Sequence, residues 1–291
     1  MRIAVTGQAG QVVTSLVERG AAAGHEVIAI GRPQLDLADT ASVMRALEAA
    51  APDAIVSAAA YTAVDKAESE SDLAHAVNGA GAGAVAQAAR ALNVPLIHIS
   101  TDYVFDGTLD RPYTESDPTG PTGVYGASKL AGEQAVLAAH GDNSAIVRVA
   151  WVYSPFGANF VKTMLRLAGD RDEVSVVADQ VGNPTSALEI ADGILRISTN
   201  LVSDGNPALR GIFHMTAQGE ASWADFAEAI FAASAARGGP SASVRRIGTA
   251  DYPTPATRPA NSRLDCGLIA QVHGIVLPNW RKSLETVIAR L

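Results

Sequence analysis

The feature that most constrains this chain is a rhythm in its first half, where short β-branched runs alternate with longer Ala-rich stretches. Ile3-Ala4-Val5, Glu26–Ile30, Ala54-Ile55-Val56, Leu96–Ile99 and Ala145-Ile146-Val147 read as strands buried on both faces. Val12–Ala23, Thr40–Ala50, Ser71–Leu92 and Ser128–Ala139 read as the helices between them. A strand that reaches a parallel neighbour through a helix crosses over right-handed, so this order predicts a doubly wound α/β domain over residues 1–152. After Tyr153 the pattern loosens: Pro155, Gly157, Gly182, Pro184, Gly205 and Pro207 interrupt it. Residues 153–291 therefore read as a smaller, mixed α/β substrate-holding region, lending a strand and helix from about 175–200 to the first sheet. Within it Trp223–Ala236 is a predicted helix, and Gly238–Ser241 and Tyr252–Pro255 are predicted loops.

A length of 291 residues with 48% hydrophobic content is ample for a buried core and excludes a disordered chain. The formal net charge of -8 argues against a nucleic-acid surface, which needs clustered Lys and Arg. The one cysteine, Cys266, excludes an internal disulfide and a cysteine-rich zinc site, and six scattered histidines lack metal-ligand spacing. His98, in an apolar strand, reads as a satisfied core residue. Met1 runs straight into a strand without a signal-peptide layout, and no apolar run reaches the roughly 20 residues of a membrane span. The expected location is the cytoplasm, without a membrane partner.

Gly7-Gln8-Ala9-Gly10-Gln11-Val12-Val13 joins the first strand to the first helix. Glycines there let backbone N–H groups approach a pyrophosphate at the helix N-terminus; two glycines in this place can equally make a plain tight turn. Gly31-Arg32 follows the second strand where NAD-preferring folds put a carboxylate for the ribose hydroxyl. An arginine suits a 2′-phosphate instead, which favours NADPH, with NADH as a lesser substitute; the other reading of Arg32 is a solvated loop residue. Asp36-Leu37 would flank the adenine.

Tyr125 and Lys129 are four residues apart, which on a helix stacks phenol over ammonium. A cation there would lower the phenol's pKa from near 10 and suit Tyr125 to donate a proton to a carbonyl oxygen as hydride reaches the carbon. Ser100-Thr101-Asp102 ends an apolar strand, and a hydroxyl at the carboxyl end of a parallel strand is where doubly wound folds meet ligands. Thr101 would bond the substrate oxygen beside Tyr125, unless the hydroxyl only caps a helix.

Gly7-x-x-Gly10, Ser100-Thr101-Asp102 and Tyr125-x-x-x-Lys129 together resemble the extended short-chain dehydrogenase/reductases, whose cofactor domain is a Rossmann sheet. Along nearly its whole length the chain is similar to the dTDP-4-dehydrorhamnose reductase family, through Ala59–Glu68, Ser100–Gly107, Trp151-Val152-Tyr153, Asn159-Phe160-Val161, Asp179–Thr185 and Arg258–Ser262. The resemblance implies reduction of C4 of dTDP-6-deoxy-L-lyxo-4-hexulose to dTDP-L-rhamnose by NADPH. It makes Thr101, Tyr125 and Lys129 the catalytic trio, with Lys129 also on the nicotinamide ribose. It assigns cofactor contacts to Gly7, Gly10, Gln11, Val12, Arg32, Asp36, Leu37, Ala58, Ala60 and Tyr61, and sugar contacts to Thr62, Val104, Trp151 and Asn183. Trp151 is otherwise a core tryptophan.

Some members of this family are magnesium-bridged dimers. Ser15 and Leu188 stand where their carboxylates fall, and only Asp192 keeps one, with Glu189 as a shifted alternative. No metal is expected, and monomer and homodimer remain equal expectations. Arg258 and Arg263 are candidates for the substrate pyrophosphate, or else for structural salt bridges. Two alternatives stay open: reduction of another nucleotide-linked 4-keto sugar, and a non-catalytic role like that of the methionine adenosyltransferase β subunit, which resembles the same family.

Overall fold

Six parallel strands lie side by side in the order Gly211–His214, Ser144–Val149, Leu96–Thr101, Ala54–Ser57, Arg2–Thr6 and Glu26–Ile30 in the computed structural model, which describes residues 1–291. Alternation along the strands explains why both faces are covered. Ile3, Val5, Val56, Ile97 and Val147 pack on one face with Leu16 and Ile194 from the Gln11–Ala22 and Ala187–Ser203 helices. Ala4, Ile55, Leu96 and Ile146 pack on the other with Val43, Leu47, Val85 and Val136. Each such Val, Leu or Ile side chain contributes about 1.5–3 kcal/mol on burial.

The chain adds its second strand on one side of the first and its third on the other, so a crevice opens at the carboxyl ends of Arg2–Thr6 and Ala54–Ser57. Open α/β sheets bind ligands at such a reversal.

Two predictions need correction. The sheet takes no strand from 175–200: Glu173–Val177 pairs instead with Ser243–Ile247, and the sixth strand is Gly211–His214. Glu173–Val177 buries alternate residues only, which suits a ribbon with one wet face and not the interior of a two-sided sheet. The helix expected in that window does flank the sheet, as Ala187–Ser203. Ser71–Leu92 is not one regular helix, because Ser71–His75 passes through a π-helical stretch, Ala76–Gly81, before Ala82–Leu92 resumes the α form.

The later residues build a second core from Tyr153, Val161, Met164, Phe226, Ile230, Trp280 and Leu284. Its helices are Phe160–Ala168, Trp223–Ala235 and Trp280–Ile288. Ser222 and Asp225 cap Trp223–Ala235 reciprocally, which contributes about 1 kcal/mol. No helix is long and apolar enough to cross a membrane.

Candidate active site

The crevice at the strand reversal is a cavity of about 700 Å³, with Gly7, Arg32, Asp36, Leu37, Ala60 and Tyr61 on its walls. Gly7 has φ +107°, which a side chain rarely adopts, and this bends the chain into the Gln11–Ala22 helix. Gly10 caps that helix without any side-chain bond to its first-turn N–H groups, which leaves those donors for an anion. The Ala58 and Ala59 N–H groups both donate to Thr6 Oγ1 at 3.0 Å, tying the two strand ends that frame the crevice. These features fit a dinucleotide, and Arg32 is an exposed cation on the wall.

Gly10, Gln11, Val12 and Ala58 do not line this cavity. Gln11 turns its side chain the other way: its Oε1 accepts from Ser154 Oγ at 2.9 Å and Asn159 Nδ2 at 3.0 Å. Asp36 makes a tight turn, accepting from the Ala38 N–H at 2.9 Å.

Thr101 closes the Leu96–Thr101 strand, while Tyr125 and Lys129 occupy successive turns of the Val124–His140 helix. Gly126 is what lets that helix approach, since a Cβ there would overlap the Tyr103 carbonyl oxygen. The Tyr103 ring meets Tyr125 edge-on, with centroids 5.4 Å apart. Burial raises the Tyr125 phenol well above its ordinary pKa, and the neighbouring Asp102 adds to this while the Thr101 hydroxyl opposes it.

Lys129 does not lower that pKa, contrary to expectation, because its ammonium is directed elsewhere. Lys129 Nζ donates to the Ile99 carbonyl at 2.8 Å and sits 3.5 Å from His98 Nε2. Burial pushes Lys129 down to about 8, against the pull of Glu133. His98 is held neutral, first by burial and then by Lys129, with Nδ1 3.1 Å from Ser57 Oγ. Thr101 Oγ1 donates to Asp102 Oδ1 at 2.9 Å. Burial raises Asp102 to about 6, and its Oδ2 has no hydrogen-bond partner, although Ser262 approaches closely enough to oppose the shift.

The sugar-side residues divide. Trp151 lies two residues beyond Val149, which pairs in register with Thr101, so it stands on the same edge of the sheet. It is half-buried, stacks on Trp223 and also packs against the cluster of Phe105, Tyr113 and Leu264. Thr62 is exposed. Val104 is fully buried among Phe105, Tyr113 and Leu264, so its side chain packs and cannot touch a sugar. Asn183 donates to the Gly219 carbonyl at 2.7 Å and accepts from the Leu264 N–H at 3.0 Å, which makes it a brace between loops. Arg258 bonds Asp65 at 2.7 Å and Arg263 bonds Glu220 at 3.0 Å, so both expected phosphate ligands stand in salt bridges. Arg258 Nη1 is buried without a partner.

At the positions where the resemblance implied bridging carboxylates, Ser15 is buried with its hydroxyl donating to the Gln11 carbonyl, and Leu188 is buried in the second core. Glu189 accepts from Ser283 Oγ and Asp192 lies 3.5 Å from Arg19.

Sequence reading missed three residues that hold the trio in place. Asn78, in the π-helical stretch, donates to Ser128 Oγ at 2.9 Å and to the Tyr61 carbonyl at 3.1 Å, and accepts from the Tyr61 N–H at 2.8 Å. It thereby joins the cavity wall to the Tyr125 helix. Glu133, one turn after Lys129, receives both Arg148 Nε and Nη2, at 2.9 and 2.7 Å, and also Ser100 Oγ. Both charged side chains are almost wholly buried. The four-residue spacing from Lys129 was a visible signal for Glu133; nothing of the kind marked Asn78 or Trp223.

The family model described as "RmlD substrate binding domain" matches residues 1–291. A dTDP-4-dehydrorhamnose reductase of Sinorhizobium fredii (strain NBRC 101917 / NGR234) is 51% identical over 288 residues, spanning 99% of this chain and 97% of that protein. The crystal structure of a dTDP-4-dehydrorhamnose reductase from Clostridium acetobutylicum ATCC 824 superposes with a TM-score of 0.92 at 36% identity, covering 99% of each chain. One from Bacillus anthracis str. Ames, in complex with NADP, also gives 0.92, at 34% identity over 100% of this chain and 99% of that one.

Proposed function

Because this chain belongs to the RmlD substrate binding domain family of dTDP-4-dehydrorhamnose reductases, we propose that it reduces the C4 keto group of dTDP-6-deoxy-L-lyxo-4-hexulose to dTDP-L-rhamnose. It is an NADPH-dependent oxidoreductase of that family. The observation that carries the finer reading is Thr101, at its strand's carboxyl end, against the Tyr125 phenol, on the helix that also carries Lys129 and that Asn78 ties to the cavity wall.

NADPH, when bound, supplies the hydride to C4 of the sugar. Tyr125 gives its phenolic proton to the C4 oxygen, so that carbonyl and proton leave as an alcohol. The raised pKa of Tyr125 keeps the phenol protonated until then, which suits the reductive direction. Thr101, whose hydroxyl donates to Asp102 in the structure, would turn that proton to the same oxygen when substrate is present. Lys129, one helical turn from Tyr125, is held by the Ile99 carbonyl and would anchor the nicotinamide ribose. The tight turn at Gly7 and the free N–H groups after Gly10 would hold the cofactor pyrophosphate, and Arg32 its 2′-phosphate. Trp151 offers an apolar face to the sugar ring.

The test is NADPH oxidation with the 4-keto sugar made in situ, beside Tyr125→Phe. Loss of the proton donor should lower kcat by about 10²–10⁴-fold and leave NADPH affinity unchanged. Activity with a different 4-keto sugar, or NADPH binding without turnover of any, would replace this reading with one of its two alternatives.

A further inference from the structure

Trp151 has φ +48°, in the left-handed region that large side chains avoid, so its neighbours must hold it there. Three do so. Its carbonyl accepts from the Thr185 N–H at 3.1 Å. Its indole lies flat on Trp223, with centroids 3.5 Å apart and planes within 6°. Its other approach is set by Gly182, where a Cβ would come within 2.5 Å of Trp151 Cε2. Trp223 is itself fixed, as the first residue of a helix capped by Ser222 and Asp225, with Phe160 tilted against it at 4.6 Å.

We propose that Trp223 is a positioning residue: stacked on one face of Trp151, it fixes the angle at which the Trp151 indole meets the substrate sugar. The proposal rests on the reading of Trp151 as a sugar platform. It also gives the second core a direct part in recognition, since Trp223 begins one of its helices. A rotating indole would cover the same area without favouring one ring orientation. A ring clamped against a second indole can discriminate among hexose ring faces.

Two kinds of measurement test this. The near-ultraviolet circular dichroism of stacked indoles carries an exciton couplet, which wild type should show and Trp223→Ala and Trp223→Phe should lose. In steady state, Trp223→Ala should raise KM for the 4-keto sugar about tenfold, the size of one lost aromatic contact, with NADPH affinity unchanged. Trp223→Phe should recover most of that KM, because a flat ring is restored. Gly182→Ala should raise KM as well, because its Cβ would displace the indole with Trp223 intact. A Trp223→Ala protein with wild-type KM overturns the proposal. So does a Trp223→Phe protein no better than alanine, or an NADPH affinity that falls in step with KM. If wild type turns over no 4-keto sugar, the functional reading fails separately, and calorimetry with dTDP-L-rhamnose decides. Affinity that is absent in wild type or unchanged in Trp223→Ala then overturns the proposal too.

Discussion

The two cores of this molecule are specified in different ways. In the sheet half, ladders of up to six residues run between strands whose side chains alternate between two helix-covered faces. Many residues carry the same instruction, and no single one is decisive. The later half has strands of two residues, Val181–Gly182, Ala221–Ser222 and Asn261–Ser262, too short to set a register by themselves. Individual polar side chains do that work. Asn261 Nδ2 donates to the Leu109 and Arg111 carbonyls, both at 2.8 Å, and its Oδ1 accepts from Arg263. A repeated pattern is redundant, whereas a brace is singular, so the second half should be the less forgiving of substitution.

The buried Glu133–Arg148 pair is the exception inside the sheet half, and it offers the strongest way to break the contrast. Glu133→Ala leaves Arg148 unpaired in the interior and should destabilise the protein by about 3–5 kcal/mol, read from urea midpoints. A loss below about 1 kcal/mol would mean that the pattern alone holds this half together.

Lys129 gives an effect of up to about 3 kcal/mol, with a definite sign. Its native pKa near 8 is below its ordinary value of 10.5, so the unfolded chain binds more protons between those pH values. Below pH 8 the full penalty of a buried ammonium is present, and it fades as pH rises toward 10.5. Wild type should therefore gain stability relative to Lys129→Met from pH 7 to pH 10. A flat difference across that range would show that burial does not depress Lys129.

Asn261→Ala should cost about 2 kcal/mol, since it removes two bonds to partly buried carbonyls and one from Arg263. Ile97→Val, which trims one methylene from the redundant core, should cost about 1 kcal/mol. Reversal of that order would remove the basis of the comparison. The smallest effect belongs to a surface link between the halves. Arg290 grips Glu18 at 2.8 and 2.7 Å, but both are partly exposed, so Glu18→Ala should lower stability by less than about 1 kcal/mol and only at low salt.

The same contrast governs what could be read from sequence. The strands and helices of the sheet half were legible because burial on two faces leaves a period, and Thr101, Tyr125 and Lys129 were legible because their spacing matches strand end and helix turn. The sixth strand was misplaced because Glu173–Val177 and Gly211–His214 are both short β-rich runs, and long-range pairing decides between them. Val104 and Asn183 were assigned to substrate from family position, and Arg258 from its charge, with a structural salt bridge as the other reading. The structure engages them with Phe105, with the Gly219 and Leu264 backbone, and with Asp65. Asn78 escaped notice because one polar residue in an Ala-rich helix has no periodic signature, and Trp223 because a stack is invisible until two distant segments meet.

The π-helical stretch has a genetic consequence. Such a turn holds more residues than the α register needs. Loss of one codon, at the exposed Ala80 for instance, would let Ser71–Leu92 close as an ordinary helix with its hydrogen bonds intact. The two ends would keep nearly the same relative orientation, because the extra residue is what the widened turn absorbs. What would change is the widened turn itself, which carries Asn78 to Tyr61 and Ser128 and so joins the cavity wall to the helix of Tyr125 and Lys129. At this one place, a change of length rather than of residue identity would separate folding from chemistry.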